Sequence, residues 1–325
     1  GGGGDDLEEM LADLLSESVG RRLVSDVPLG CFLSGGVDST AVVAAAVAAG
    51  ARPETLTVGF TDGVDETGRA AATARRLGLV HRVRRFGADE MLAAVAAWPR
   101  LGGDPLADPS LAPTALVSRA ARECWTVALS GDGGDELLNG YPRLRFMARA
   151  HGLLGLGSRL RRPLTGVLPA RRWASKLEAA WTSPDRWSAY QALQGVWPRA
   201  EVASMLGRSE VPLPWPVTLL DRLERHGRWR RYRLLDALTF LPERMLAKVD
   251  RASMAASLEV RVPLLDHRLV ELLLAAPCRR TRDKGVLRGA TARLGMRAPR
   301  APKRGFEVPL GPWLRGPLRG MVETT

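Results

Sequence analysis

At 325 residues, the chain is long enough for one large domain or for a domain with a helical annex, and its 46% hydrophobic and 25% charged residues are typical of a soluble globular protein. No apolar stretch approaches the ~20 residues that a membrane span needs, so we expect no membrane partner. The three cysteines, Cys31, Cys124 and Cys278, are far apart and form no Cys-x-x-Cys pair, which excludes a disulfide framework and favours a cytoplasmic location.

The net charge of +12 makes nucleic acid a conceivable partner. However, the arginines are scattered along the chain and few aromatic residues accompany them, so an anionic substrate such as ATP is the preferred explanation. Only four of the 47 basic residues are lysines: Lys176, Lys248, Lys284 and Lys303. A lysine retained in such an arginine-rich chain indicates a place where a compact ammonium is needed, for example beside a phosphate or an acyl oxygen.

Hydrophobic periodicity predicts strands that alternate with helices over the first 130 residues. Residues 1–4 are interpreted as a linker, and the first helix is predicted from Asp5 to Val19. The elements predicted after it are strand 29–33, helix 39–49, strand 55–60, helix 65–77, strand 79–86, helix 88–98, loop 102–109, a helix ending at 123 and strand 125–129. Cys31 and Cys124 are both assigned to buried strands. This alternation predicts a doubly wound parallel α/β sheet, in which ligands bind at the carboxyl ends of the strands.

The composition changes after this region. From about 142 to 233, tryptophan, arginine and proline are frequent and strand signals vanish, which predicts an irregular helical region. From about 234 onward the pattern is mostly helical again.

The segment Ser34-Gly35-Gly36-Val37-Asp38-Ser39 follows a buried strand and precedes an Ala/Val-rich helix. A glycine turn in this position aims backbone N–H groups and the positive end of a helix dipole at one point, where a phosphate or pyrophosphate binds. The segment is neither a Walker A loop nor a Gly-x-Gly-x-x-Gly turn. The alternative is an ordinary strand-to-helix turn that Asp38 caps.

A second glycine turn, Ser130 to Glu136, holds three carboxylates and three glycines. Clustered carboxylates repel one another unless a cation lies among them, and either Mg²⁺ or a substrate amino group is suitable. A solvated acidic turn is the alternative.

Two later segments are informative only in combination. Lys248 to Asp266 carries recurrent charges that a salt-bridged structural helix and turn explain equally well, and Lys303-Arg304-Gly305-Phe306 places a lysine beside a glycine. A lysine in that setting can reach a phosphate or a developing oxyanion.

In their order and spacing, these four segments resemble the synthetase domain of class B, glutamine-dependent asparagine synthetases. The matching stretches are 26–30, 33–39, 57–60, 107–110 with 113–114, 128–136, 140–141, 248–266 and 303–309. The resemblance implies a pyrophosphate-loop ATPase domain over residues 5–325, with a core at about 20–141, the added helical region at about 142–233 and a C-terminal motif region at about 234–325.

The resemblance also implies a reaction in which Mg-ATP and the β-carboxylate of aspartate form β-aspartyl-AMP and pyrophosphate, after which ammonia displaces AMP. In the family, ammonia comes from glutamine through an N-terminal glutaminase domain, which this sequence does not contain. We therefore expect ATP and Mg²⁺ as cofactors, aspartate and ammonia as partners, and a possible homodimer.

Residue roles follow from the same resemblance. Pyrophosphate binding is expected at Ser34, Gly35, Gly36, Asp38, Ser39 and Lys284, adenine binding at Leu33 and Val58, AMP binding at Ser130 and Gly131, metal binding at Asp38 and Asp135, and catalysis at Asp132 and Lys303. Instead of the metal, Asp135 could bind the amino group of the substrate.

The turn after Glu136 departs from the family pattern, since it reads Leu137-Leu138-Asn139-Gly140-Tyr141 where an aromatic and a second glycine are commoner. Asn139 is expected to adopt a left-handed conformation and so preserve the turn. Three alternatives share the loop: an amide-forming tailoring enzyme of the β-lactam synthetase or lasso-peptide macrocyclase type, a tRNA-modifying enzyme, and a non-catalytic homologue.

Overall fold

The structure is a computed structural model that describes residues 5–61, 66–101, 106, 108–155, 174–195, 197–299, 315–316 and 319–323. The chain divides into two compact units. The first, called here the sheet unit, comprises Gly1–Gly140 and Ala237–Thr325, and the second, called the helical unit, comprises Tyr141–Asp236. Within the described ranges, no helix combines the length and apolar character needed to cross a membrane.

The sheet unit contains a five-stranded parallel sheet in the order β3-β2-β1-β4-β5. The strands are β1 (Leu29–Phe32), β2 (Glu54–Phe60), β3 (His81–Phe86), β4 (Val127–Leu129) and β5 (Glu259–Arg261). The first strand in sequence, β1, is the central one. The next two strands, β2 and β3, are added on one side of it, and β4 and β5 are added on the other side. The direction of winding therefore reverses between β1 and β4, which is where open parallel sheets bind their ligands.

The helices surround the sheet and form the helical unit. In chain order they are α1 (Asp5–Arg22), α2 (Val37–Ala48), α3 (Thr67–Arg76), α4 (Ala88–Ala96), α5 (Leu111–Arg122), α6 (Gly134–Leu137), α7 (Pro142–Leu154), α8 (Ala174–Thr182), α9 (Arg186–Gln194), α10 (Arg199–Met205), α11 (Val217–Glu224), α12 (Arg228–Leu235), α13 (Ala247–Met254), α14 (His267–Ala275), α15 (Cys278–Thr281), α16 (Gly285–Arg293) and α17 (Arg319–Glu323). A π-helix, Asp236–Leu246, precedes α13.

Two apolar cores cover the two faces of the sheet. Helices α1, α2, α14 and α16 contribute to one core, where the alanines of α2 let the helix approach its neighbours closely. Helices α4 and α5 contribute to the other core together with Trp125. The indole of Trp125 occupies the space that a side chain at Gly30 of β1 would need, so β1 requires glycine at this position. The inner strands β1, β2 and β4 are largely buried, whereas the edge strand β3 is mostly exposed. The carboxyl ends of the strands are left for function.

The helical unit has a core of its own, built from α7, α8, α9, α11 and α12. Tyr190 and Tyr232 stack there with ring centroids 6.0 Å apart. The buried Asp236 binds Arg143 through a 2.7 Å ion pair and accepts a hydrogen bond from the Tyr190 hydroxyl. The described residues of this unit are helical or irregular and contain no strand.

The predicted α/β class and the parallel sheet are confirmed, with shifts at the ends of elements. Helix α2 begins at Val37 rather than at Ser39, and β3 begins at His81 rather than at Leu79. Cys31 is buried in β1 as predicted, whereas the assignment of Cys124 to a strand is wrong, because it lies between α5 and β4 and is only half-buried.

Strand β5 was missed, because the region after 234 was predicted to be helical. It has only three residues, Glu259-Val260-Arg261, with a charge at each end, so it shows no apolar alternation. Pairing with the buried β4 forms this strand, and that pairing is a tertiary contact.

Candidate active site

The first glycine turn connects β1 to α2. Gly35 has a φ of +69°, and a Cβ at this position would lie 2.9 Å from the backbone nitrogen of Ala70, so only glycine fits without strain. The Ser34 backbone N–H donates to Ser39 Oγ at 3.2 Å, and the two hydroxyls lie 3.1 Å apart. Gly36 is the N-cap residue of α2 and has no side-chain cap, so the first N–H groups of the helix are open to a ligand.

The residues predicted to bind adenine are Leu33, which directly follows β1, and Val58, which lies in the adjacent β2. The N–H of Leu33 donates to the carbonyl of Leu56 at 2.9 Å, and its own carbonyl accepts from the Thr57 hydroxyl. Leu33 is buried and Val58 is half-buried. These two hydrogen bonds to β2 therefore hold the backbone of Leu33 in place just before the first turn.

The second glycine turn connects β4 to the short helix α6. The Ser130 N–H donates to the carbonyl of Arg261 at 2.9 Å, and Ser130 Oγ donates to Asp132 Oδ2 at 2.7 Å. Gly133 has a φ of +87°, and a Cβ there would overlap the side chain of Leu265. The turn is thus held in place by a hydrogen bond to β5 and by packing against Leu265.

The two turns lie directly against each other. A Cβ at Gly131 would lie 2.7 Å from the backbone nitrogen of Ser39 and 2.8 Å from the carbonyl carbon of Asp38. A Cβ at Gly134 would overlap the Asp38 carboxylate. The glycines of the second turn are therefore needed to let the backbone approach α2 closely.

Three charged side chains meet where the turns join, and two of them are buried. Lys284 Nζ donates to Asp38 Oδ2 and lies 2.6 Å from Asp135 Oδ1. The side chains of Lys284 and Asp135 are 9% and 6% exposed. A side chain at Gly140 would displace them, because its Cβ would lie 2.7 Å from Lys284 Cε and overlap the Asp135 carboxylate. One ammonium thus neutralises two carboxylates that otherwise repel each other.

The backbone at Lys284 is unusual. Asp283 and Lys284 have φ values of +56° and +58°, and Lys284 is the N-cap residue of α16. Two successive residues other than glycine in the left-handed region cost conformational energy, and such strain occurs where the surroundings over-determine a position. Here the strained turn directs the lysine toward Asp38 and Asp135.

The pair of carboxylates is suited to a hard cation. Oxygens of Asp38 and Asp135 both reach the same ammonium, so they can also share one Mg²⁺, which prefers oxygen ligands and usually keeps waters and substrate phosphates as further ligands. The described residues contain no cluster of three or more His, Cys, Asp or Glu side chains that could enclose a metal. The donor set therefore fits Mg²⁺ held jointly with phosphate oxygens.

The structure brings together Asp38, Ser39, Gly131, Asp135 and Lys284, which were predicted from three separate segments. Lys303 falls outside the described residues, and its role stays a prediction. Gly134 and Gly140 were not predicted as site residues, although both lie in segments that match the family. At these two positions only glycine fits against the charged cluster.

The conformation expected for Asn139 is confirmed. It has a φ of +52° and is buried, so the turn before Gly140 forms despite the departure from the family pattern.

The chain is similar to known proteins along most of its length. The asparagine synthase family profile matches residues 10–325. A putative glutamine-hydrolyzing asparagine synthetase of Mycobacterium tuberculosis (strain ATCC 25618 / H37Rv) is 34% identical over 317 residues, which are 93% of this chain and 48% of that protein. Glutamine-hydrolyzing asparagine synthetase 1 of Bacillus subtilis (strain 168) is 29% identical over 98% of this chain and 52% of its own length. The chain thus spans about half the length of these curated relatives.

Among solved structures, NMN synthetase from Francisella tularensis is similar over 79% of this chain and 95% of its own, at 13% identity and a TM-score of 0.33. A likeness this slight carries no conclusion about function.

Proposed function

This chain belongs to the asparagine synthase family, and from that premise we propose that it is a ligase that makes asparagine from aspartate, ATP and ammonia. The β-carboxylate oxygen of aspartate attacks the α-phosphorus of ATP, and the bond to pyrophosphate breaks. The resulting β-aspartyl-AMP has a good leaving group, which a free carboxylate lacks. Ammonia then attacks the acyl carbon, loses a proton, and AMP departs.

The observation that carries this proposal is the meeting of Asp38, Asp135 and Lys284 at the junction of two glycine turns. A nucleotide that is split between its α- and β-phosphates needs N–H donors for the pyrophosphate and positive charge beside the bond that breaks. The first turn offers the donors at the N-terminus of α2, and Lys284 lies next to it. Bound Mg²⁺ would add charge neutralisation on the phosphate oxygens.

The other roles are assigned by position. Ser34, Gly35, Gly36 and Ser39 hold the pyrophosphate, Leu33 and Val58 contact adenine, and Ser130 and Gly131 contact AMP. We assign to Asp132 the acceptance of the proton from ammonia, since its carboxylate is oriented by the Ser130 hydroxyl on the rim of the same turn. We assign to Lys303 the stabilisation of charge on phosphate and acyl oxygens.

The source of ammonia belongs to the proposal as well. The curated relatives are described as glutamine-hydrolyzing, and we propose that a glutaminase partner or domain supplies ammonia to this chain, with free ammonium as a substitute in vitro. We further propose a cytoplasmic location and a homodimer.

The test is a pyrophosphate-release assay with ATP, Mg²⁺, ammonium and one amino acid at a time. Release that depends on aspartate and is followed by asparagine supports the proposal. Release with a peptide or a carboxyethyl-amino acid, but not with aspartate, would identify a tailoring enzyme instead. Failure to bind Mg-ATP would identify a non-catalytic homologue.

Lys303→Ala should abolish aspartate-dependent pyrophosphate release, because the charge that develops on the phosphate and acyl oxygens loses its cation. Lys176→Ala, which removes a lysine whose ammonium donates to the Gly195 carbonyl in the helical unit, is the matched control. Normal turnover of the Lys303 variant would refute the role assigned to it.

A further inference from the structure

A second buried charge cluster lies in the sheet unit. Its centre is Asp108, which is 4% exposed. Asp108 Oδ1 accepts hydrogen bonds from the Ser110 N–H at 2.8 Å and the Ser110 hydroxyl at 2.6 Å. Asp108 Oδ2 accepts from Arg244 Nε at 2.9 Å. Both carboxylate oxygens are thus engaged by neighbours within the cluster.

Lys248 lies beside this carboxylate and is 6% exposed. Its ammonium contacts Met245 Sδ at 3.9 Å and is attracted by Asp108, but no carboxylate among the described residues forms an ion pair with it. Lys284, buried to the same degree, has two carboxylates, and Lys176 donates to a backbone carbonyl. The Asp108 carboxylate is already ion-paired with Arg244, so two cations share one carboxylate. The excess of positive charge beside a buried ammonium costs free energy, so this environment indicates an anionic ligand.

The fold places this lysine at the functional edge of the sheet. Asp108 precedes α5, the crossover helix into β4, and Lys248 is the second residue of α13, which leads into β5. Helices that lead back into parallel strands run antiparallel to them, so both N-termini lie at the carboxyl edge of the sheet. Helices α5 and α13 pack against each other through Leu111, Ala115 and Ala252. The Ser130 turn follows β4 directly, so it lies at the same edge of the sheet.

The composition of the chain supports the same conclusion. Lysine is rare in this chain, with four lysines among 47 basic residues, and the structure shows both Lys284 and Lys248 to be buried. A lysine offers a compact point charge with three donors, whereas arginine presents a wide planar fork. Burial of such a charge is suited to a small anionic group rather than to a surface contact.

We propose that Lys248 binds the α-carboxylate of the amino-acid substrate and thereby selects an acyl donor that carries a second anionic group. The inference rests on the proposed function, since it assumes that the β-carboxylate is the group that reacts. When the β-carboxylate faces the α-phosphate, the α-carboxylate is left as a free anion on the side away from the pyrophosphate loop. Lys248 offers a positive charge at the carboxyl edge of the sheet, because Asp108 is already bound by Arg244 and Ser110.

The proposal predicts a specific pattern of discrimination. β-Alanine has the carboxylate that reacts and the amino group of aspartate but lacks the α-carboxylate. A site with a buried partner for a missing group rejects the truncated substrate by about 10⁴-fold in favourable cases, and by at least about 100-fold here. Removal of the buried partner should remove most of this preference.

The experiment compares kcat/KM for pyrophosphate release with L-aspartate and with β-alanine in the wild type, in Lys248→Met and in Lys176→Met. The wild type and Lys176→Met are expected to prefer aspartate by about 100-fold or more. Lys248→Met is expected to lose aspartate activity and to show a ratio below about tenfold, with Mg-ATP affinity unchanged, because Lys248 is assigned to the amino acid and not to the nucleotide. Thermal unfolding of the free variants shows whether Lys248→Met is folded.

An aspartate to β-alanine ratio that stays at the wild-type value in folded, active Lys248→Met would overturn the proposal, because a merely structural lysine changes stability without changing the ratio. If Lys248→Met is too unstable to assay, Lys248→Gln keeps a polar group of similar length, and an unchanged ratio there overturns the proposal equally. The absence of pyrophosphate release with either substrate in the wild type would refute the proposed function itself, and this inference with it.

Discussion

At the scale of single residues, the site depends on glycines that permit contact between backbones. Gly131 illustrates this, because its Cα lies so near to α2 that a methyl group would press on the backbone of both Asp38 and Ser39. The obstruction is backbone rather than a flexible side chain, so rotation about a side-chain bond cannot relieve it. One of the two turns must move, and the position of the Asp38 carboxylate relative to the second turn then changes.

Gly131→Ala should therefore lower kcat/KM for pyrophosphate release on the order of 100-fold, since displacement of a binding loop by about 1 Å has effects of this size. Gly20→Ala is the matched control: Gly20 lies in α1 with open space around it, and alanine there should raise stability by about 0.5–1 kcal/mol without loss of activity. A Gly131 variant with wild-type kinetics would show that the turns do not touch.

At the scale of elements, Asp266 connects α1 to α14. Its carboxylate forms ion pairs with Arg21 at 2.5 Å and Arg22 at 3.2 Å, and it caps α14 by accepting a hydrogen bond from the Arg268 N–H at 3.1 Å. Burial alone would raise the pKa of Asp266, but the hydrogen bonds from Arg21, the Arg268 backbone and Arg22 outweigh it and lower the pKa to about 2. Helix α1 packs on the same core as α2, so this link also supports the first glycine turn.

Asp266→Asn should lower the free energy of unfolding by about 2 kcal/mol at neutral pH. Because the folded pKa is depressed, the stabilisation is complete above the unfolded value near 3.8 and is lost as the pH falls through about 2. Urea unfolding at pH 7 and pH 3 measures this, and the difference between wild type and variant should shrink at the lower pH. A difference that does not change with pH would indicate a packing effect instead.

At the scale of the whole molecule, the chain has two units with separate cores, and the helical unit contains a titratable group within its own hydrogen-bond network. In the helical unit, His151 Nε2 accepts hydrogen bonds from Arg186 at 3.1 Å and Arg231 at 3.0 Å. Arginine only donates, so the proton of the neutral imidazole is on Nδ1, which donates to the Tyr232 hydroxyl. Burial and then the charges of Arg186 and Arg231 lower the pKa of His151 to about 4.

The helical unit should therefore lose stability as the pH falls from about 6.5 toward 4, because the unfolded histidine takes up a proton in this range and the folded one does not. Hydrogen exchange of residues 141–236 measures the effect. His151→Gln should flatten the dependence, since glutamine has no charge to gain, while His226→Gln should retain it. Equal acid sensitivity in wild type and His151→Gln would contradict the assignment.

Much of the sheet unit could be predicted from local sequence. The apolar runs of β1 and β4 and the Ala/Val-rich α2 have the expected periods, and each glycine turn lies at the end of a predicted strand. Both turns follow predicted strands of a parallel sheet, whose carboxyl ends meet at one edge, and ligands were predicted to bind there. Strand β5 could not be predicted in this way, since three residues with charged ends have no local preference for extended structure.

The sequence by itself determined the α/β class, the two glycine turns and the residue types of the proposed pyrophosphate site, because backbone freedom, helix dipoles and carboxylate charge are local properties. Only the tertiary structure decided that Lys284, 246 residues after Asp38, is the cation between Asp38 and Asp135. It alone also showed that Lys248 is buried beside an Asp108 that other residues already bind. Charge pairing depends on distance in space, and that distance is set by the packing of helices whose order along the chain does not reveal it.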